Sequence, residues 1–167
     1  LQSLPAGAIS IVWESVAEAE KYRVYRAAGD CSVTPDTLVA TDLTVLMHTD
    51  VPPTDGIYCY SVTTTRFNSE SPPSAAVSAI SDRTPPATAT GLQVALLASG
   101  VQVSWDRPAA GEMPTSYRLY RNGIQVRTVT DDSPHLSILD YPATGGDVSY
   151  RIASADAVGN EALTGEI

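Results

Sequence analysis

One short string is written twice in this chain. Tyr22-Arg23-Val24-Tyr25-Arg26 returns as Tyr117-Arg118-Leu119-Tyr120-Arg121, and each copy follows a lone tryptophan, Trp13 or Trp105. The matching continues downstream, where Asp50, Pro52, Thr54, Gly56 and Tyr60 correspond at one constant spacing to Asp140, Pro142, Thr144, Gly146 and Tyr150. The spacing changes slightly between these blocks, so small insertions and deletions fall between them while the framework holds. An internal repeat constrains domain number, domain size and strand register before any single residue is interpreted. It predicts two modules, 1–82 and 83–167, each near the lower size limit for an independent domain. Leu1-Gln2 aligns with Leu92-Gln93, so the first module is read as N-terminally truncated, a piece of a longer parent or the product of processing.

Between the copies lies Ser81-Asp82-Arg83-Thr84-Pro85-Pro86-Ala87. Consecutive prolines fix their own φ and push the preceding residue toward extended conformations, which predicts a short, stiff connector. Apolar positions alternate at period two through Ile9, Ile11 and Trp13, Tyr22 and Val24, Tyr58, Tyr60 and Val62, and again through Val101, Val103 and Trp105, Tyr117 and Leu119, Tyr150 and Ile152. No window shows a convincing helical period. Short strands separated by Gly-, Pro-, Asp- and Ser-rich turns read as all-β sandwiches. Asn122-Gly123 is the clearest hairpin turn, because both central positions of a type I′ turn need positive φ.

These residues carry a resemblance. Each half is similar to a fibronectin type III module: a tryptophan closing the second strand, a third strand of the form Tyr-Arg-x-Tyr-Arg, an aspartate ending the fifth (Asp50, Asp140) and a tyrosine run in the sixth. The junction from Asp82 to Leu92, and Asp156-Ala157-Val158-Gly159-Asn160-Glu161, resemble bacterial tandem arrays of that family. The resemblance implies two tandem immunoglobulin-like β-sandwiches and says almost nothing about function, since this sandwich hosts many tasks. Two departures stand out. The corner tyrosine of the family falls on Tyr58 in the first copy and on Val148 in the second. The first copy also carries an insertion from Asp30 to about Asp36, where the second has its tight turn.

That insertion holds Cys31. In a fibronectin-like sheet the third and sixth strands are antiparallel neighbours, which brings Cys31 near Cys59 and implies a disulfide. Two unpaired thiols are the alternative, and metal binding a more distant one, since nothing nearby supplies further ligands. A disulfide would place the protein in an oxidising compartment, secreted or at the cell surface. Acidic residues outnumber basic ones by 19 to 10, for a formal net charge of −9, which disfavours nucleic acid and anionic membranes as partners. No apolar run is long enough to insert in a membrane, and Asn68-Ser69-Glu70 is not a glycosylation sequon.

Catalytic candidates are few, and no cofactor is expected. His48 takes a position that Ile138 fills in the other copy and reads as structural; His135, beside Pro134, reads as a loop residue. There is no nucleophile elbow, no phosphate-binding glycine loop and no zinc spacing, and Asp131-Asp132 reads as a solvated turn. Asp156, Asn160 and Glu161 are weak candidates for a calcium site, without the spacing of a calcium loop; turn aspartates more often satisfy backbone donors. The candidate binding face is Arg23, Tyr25, Arg118, Tyr120 and Arg151, which alternation turns outward from the sheet of the third, sixth and seventh strands. The competing and preferred reading of that face is cross-strand packing, with each arginine paired to an acid. Three roles follow in order of preference: a non-catalytic spacer and interaction pair in a larger adhesin, surface or filament protein, or in the accessory region of a polysaccharide-degrading enzyme; a module recognising protein or polysaccharide; an enzyme fragment.

Overall fold

The computed structural model describes residues 1–142 and 146–167; Thr144 of the repeat lies outside them. The chain divides into two compact units, Leu1–Arg83 and Thr84–Ile167. Both are built from antiparallel strands, and among the described residues no helix is long and apolar enough to cross a membrane.

In the first unit a small sheet joins β1 (Gln2–Ser3), β2 (Ile9–Val12) and β5 (Met47–Asp50). The larger sheet runs β4 (Thr37–Leu43), β3 (Lys21–Ala28), β6 (Gly56–Arg66) and β7 (Ser69–Glu70), with β8 (Val77–Ser81) also paired to β6. Alternation decides what fills the space between the sheets: Ile9, Ile11, Val24, Tyr58 and Tyr60 form the buried cluster, with Trp13 and Val62 packed against it. Pro72-Pro73 separates β7 from β8, as expected of residues with no N–H to donate. Serine hydroxyls bridge the interruption, Ser71 Oγ accepting from Thr64 N at 3.0 Å and Ser74 Oγ from Val62 N at 3.1 Å.

Arg83 is fastened to this unit. Its guanidinium donates to Asp55 Oδ1 at 2.7 Å, to Ser81 Oγ at 3.1 Å and to the Pro52 carbonyl. It lies so close over Gly7 that a Cβ there would meet the side chain at 2.6 Å, and Gly7 has a φ of 72°. Only glycine meets both demands.

The second unit repeats the plan. Its small sheet is β9 (Thr90–Leu97), β10 (Gly100–Asp106) and β13 (His135–Asp140); its larger one is β12 (Ile124–Val129), β11 (Ser116–Arg121), β14 (Tyr150–Ala155) and β15 (Glu161–Leu163). Val101, Val103, Trp105, Tyr117, Leu119, Leu136, Tyr150 and Ile152 pack with Ala89 into one core. Asn122 and Gly123 have φ of 50° and 76° and place Arg121 opposite Ile124, the hairpin expected of this pair. His135 differs from its sequence reading: it opens β13 opposite Asp106, with Nδ1 2.7 Å from Asp106 Oδ1, because its turn ends at Pro134. His48 is half-buried opposite Ile11.

The first unit's insertion is closed by the Cys31–Cys59 disulfide, Cα to Cα 5.2 Å. Tyr58 and Tyr60 turn into the core, so Cys59 faces the other way, yet it is fully buried. Cys31 adopts a left-handed φ of 68°, which a non-glycine residue holds only where its surroundings fix it. Cross-linking residues 28 apart removes loop entropy from the unfolded chain worth about 3–4 kcal/mol. Replacing both cysteines by serine should therefore destabilise the first unit by about 3 kcal/mol and leave the second unchanged. Denaturation followed at the separate indole signals of Trp13 and Trp105 checks this.

Candidate functional site

Alternation along β3 and β11 sorts the repeated motif onto two faces. Tyr22 and Val24, like Tyr117 and Leu119, enter the cores, and the two tyrosine rings lie tilted against Trp13 and Trp105 with centroids 5.6 and 5.7 Å apart. The outward pair closes on one carboxylate in each unit. Arg23 Nη1 donates to Glu70 Oε2 at 2.5 Å, and the hydroxyls of Tyr25 and Thr63 donate to Oε1 at 2.7 and 2.5 Å. Arg118 Nη1 donates likewise to Glu161, whose two carboxylate oxygens each lie 3.1 Å from the Tyr120 hydroxyl. The hydrogen bond from Thr63, then that from Tyr25, with the charge of Arg23, hold the Glu70 carboxyl below its ordinary pKa.

The last arginine of the motif makes a second clamp. Arg26 Nη1 donates to Asp50 Oδ2 at 2.8 Å and the Tyr60 hydroxyl donates to the same oxygen at 2.7 Å. Arg121 and Tyr150 hold Asp140 Oδ2 in the same way, both at 2.8 Å. The aspartates end β5 and β13 of the small sheets, whereas the arginines and tyrosines belong to the larger sheets. Each clamp therefore ties one sheet of a sandwich to the other. Burial first, then the bond to the carboxylate, pushes the Tyr150 hydroxyl up to about 12, and the same causes raise Tyr60 further.

Arg151 sits opposite Tyr120 in the ladder, but its Nη2 donates to Glu166 Oε2 at 2.6 Å, a carboxylate that also accepts from the Ser149 hydroxyl. Arg23, Arg118 and Arg151 thus each face an acid of their own unit. Around Glu70 two shallow clefts remain: one of about 210 Å³ lined by Lys21, Arg23, Asp42 and Asn68, and one of about 330 Å³ between Tyr25, Thr63 and the insertion residues Pro35 and Asp36.

The turn after β14 uses its acid locally. Asp156 Oδ1 accepts from the backbone N–H of Val158, Gly159 and Asn160 at 2.9, 2.6 and 2.9 Å, and Oδ2 accepts from Asn160 Nδ2 at 2.7 Å. Glu161 is turned to Arg118 and Tyr120. Asp131 likewise accepts from Ser133 N and Oγ at 2.8 and 2.6 Å.

Solved structures share this architecture. The FN1-FN3 domains of chicken CNTN1 match with a TM-score of 0.68 at 13% identity, over 99% of this chain and 60% of that one. The present chain thus spans less than two thirds of that structure's length. Fibronectin(III)-like modules of Clostridium thermocellum CbhA match with a TM-score of 0.54 at 12% identity, over 99% of this chain and 85% of that one. Both units have the fibronectin type III fold. No family model matches the sequence, and no curated protein matches it.

In the first type III module the corner tyrosine is in place: the Tyr58 hydroxyl donates to the Thr54 carbonyl at 3.1 Å and lies 2.8 Å from the Thr54 hydroxyl, and Arg26 stacks over its ring, 5.5 Å from the centroid. Val148, half-buried against the second core, has no hydroxyl to offer. Sequence reasoning expected an acid beside each outward arginine but did not say which acid pairs with which arginine. One signal was present, since Glu70 and Glu161 each follow an asparagine closely at the start of the strand after the sixth-strand turn.

Asp140→Asn removes the charge from an acceptor shared by two donors and should destabilise the second module by about 2 kcal/mol, read from denaturation followed at Trp105. Glu70 contributes stability that is present above the unfolded carboxyl value, about 4.3, and is lost as pH falls through its depressed folded value. The first modules of Glu70→Gln and wild type should differ in melting temperature at neutral pH and converge below about pH 3.

Proposed function

We propose that the chain is a non-catalytic spacer and interaction pair within a larger secreted or cell-surface protein, of the kind found in adhesins, surface or filament components, or accessory regions of polysaccharide-degrading enzymes. The fold is one used for structural and interaction modules. The observation that carries the reading is the fate of the outward Arg and Tyr residues: in both modules Arg23 with Tyr25, and Arg118 with Tyr120, close on a carboxylate of their own sheet. A motif engaged identically twice serves the framework, because a grafted site needs to occur only once. The disulfide supports an oxidising compartment, and the net charge of −9 argues against nucleic acid. The partners of such a pair are the neighbouring domains of its parent.

The second reading, recognition of protein or polysaccharide, is favoured by the two clefts flanking Glu70 in the first module. Sedimentation equilibrium from micromolar to millimolar concentration, with and without calcium, together with retention on immobilised polysaccharides, separates the readings. The spacer predicts a constant monomer mass and no retention. Mass growth with concentration would make self-assembly the function instead. Retention that Tyr25→Ala and Tyr120→Ala abolish would establish the second reading.

A further inference from the structure

The outward tyrosine of the repeated motif is held by its hydroxyl in both modules, which fixes one edge of the ring and leaves a face. Tyr25 stands on β3, and its hydroxyl reaches across β6 to Glu70 on β7, which also accepts from Thr63 of β6. The ring therefore lies along the sheet surface. Ser61, opposite Tyr25 in the ladder, and Thr63 are both buried, although alternation turns them outward. Above them Tyr25 lines the cleft of about 330 Å³ with two prolines, Pro35 of the disulfide-closed insertion and Pro73 of the segment after β7. The second module is built otherwise at this place: β11 turns at Asn122-Gly123 directly into β12, so no insertion stands beside Tyr120, and Arg151 lies opposite Tyr120 where the first module has Ser61.

The polar atoms of the first module's cleft share one character. The hydroxyl protons of Tyr25 and Thr63 go to Glu70, and that of Ser71 to the Pro72 carbonyl at 2.9 Å. Ser71 N–H is bonded to the Thr64 carbonyl, and proline has no N–H. Acceptors remain on offer: Glu70, whose charge Arg23 already meets, and exposed Asp36, which among the described residues takes a single 3.3 Å bond from the Thr37 hydroxyl. A ligand must bring its own donors and an apolar face for the ring. A peptide backbone brings carbonyls that find no donor from these groups. A basic side chain brings donors, but its charge meets one open carboxylate and the Arg23 guanidinium beside the other. A sugar ring meets both demands, its slightly positive C–H groups stacking on the negative π-face and its hydroxyls donating to the carboxylates.

We propose that this cleft of the first module is a subsite for one ring of a neutral polysaccharide, with Tyr25 as the platform and Asp36 as the hydroxyl acceptor. The bonds that make Tyr25 part of the framework also preorganise it, since its rotamer is fixed before the ligand arrives. The inference rests on the recognition reading and narrows it to one module and one class of ligand.

The test is titration of the full chain, isotope-labelled, with cellohexaose, xylohexaose and mannohexaose. At least one should give saturable shifts of the Tyr25, Asp36, Thr63 and Ser71 amides, with Arg118 and Tyr120 unmoved. Tyr25→Ala should abolish the shifts. Asp36→Ala, a change at an exposed loop position that leaves the fold intact, should weaken binding about tenfold, and Tyr120→Ala should leave it unchanged. Absence of shifts from all three sugars overturns the proposal, as do shifts from hexalysine in their place, equal shifts from hexagalacturonate, whose carboxylates the cleft should repel, or binding that Asp36→Ala leaves intact. If Tyr120→Ala weakens binding as much as Tyr25→Ala does, recognition of polysaccharide stands and this site does not.

Discussion

The interaction on which each sandwich depends is the clamp between its sheets. An aspartate at the end of one small-sheet strand accepts an arginine and a tyrosine from the larger sheet on a single oxygen, and it does so at Asp50 and again at Asp140. A carboxylate placed this deep costs desolvation that one ion pair rarely offsets. Here the charge is met by a guanidinium and a hydroxyl together, the second donor supplying what a lone pair leaves unsatisfied. The clamp also sets geometry: both donors come from adjacent strands, Arg26 opposite Tyr60 and Arg121 opposite Tyr150, so a slip of either strand by one residue would turn a donor to the wrong face.

From that tie the rest of the repeated motif follows. With Arg26 and Arg121 fixed to the small sheet, the pleat turns Tyr22 and Tyr117 onto the tryptophans and leaves Arg23 with Tyr25, and Arg118 with Tyr120, on the outer surface. There they meet Glu70 of β7 and Glu161 of β15. Every polar residue of the motif has an internal partner in both modules except the hydroxyl of Tyr117, which is buried without one among the described residues, whereas the Tyr22 hydroxyl accepts from Val16 N at 2.9 Å. The duplication therefore records a structural requirement. Specific behaviour is better sought where the copies diverge, at the disulfide-closed insertion and at Tyr58 against Val148.

Legibility in the sequence followed how local each determinant is. The Asn122-Gly123 turn needs two neighbouring positive φ values and nothing distant, and period-two alternation separated core from surface through most strands. The Cys31–Cys59 bond became readable once the third and sixth strands were taken as neighbours. Acid partners were a different matter: Arg23 and Glu70 meet through strands far apart in sequence, and the asparagine just before Glu70 and Glu161 is a cue only once the two copies are laid side by side. Glu161 was read beside Asp156 and Asn160 because they adjoin in sequence, yet the strand pleat sends its side chain to Arg118 while Asp156 turns to the loop backbone. His135 was misread for a related reason, since Pro134 marks a turn but does not say on which side of it the strand begins.

The two modules also reach stability by different routes. The second seals a larger core around Trp105, with Ala89 closing it from the lead-in segment. The first has a smaller buried cluster, an open cleft beside Trp13 and a last strand broken at Pro72-Pro73, where serine hydroxyls stand in for missing ladder groups. The disulfide lies in this module. Its effect on the unfolded chain, about 3–4 kcal/mol, is of the size gained by fully burying one or two large apolar side chains. A covalent cross-link can thus offset burial that the smaller cluster of the first sandwich forgoes, whereas the second relies on packing alone for the same end.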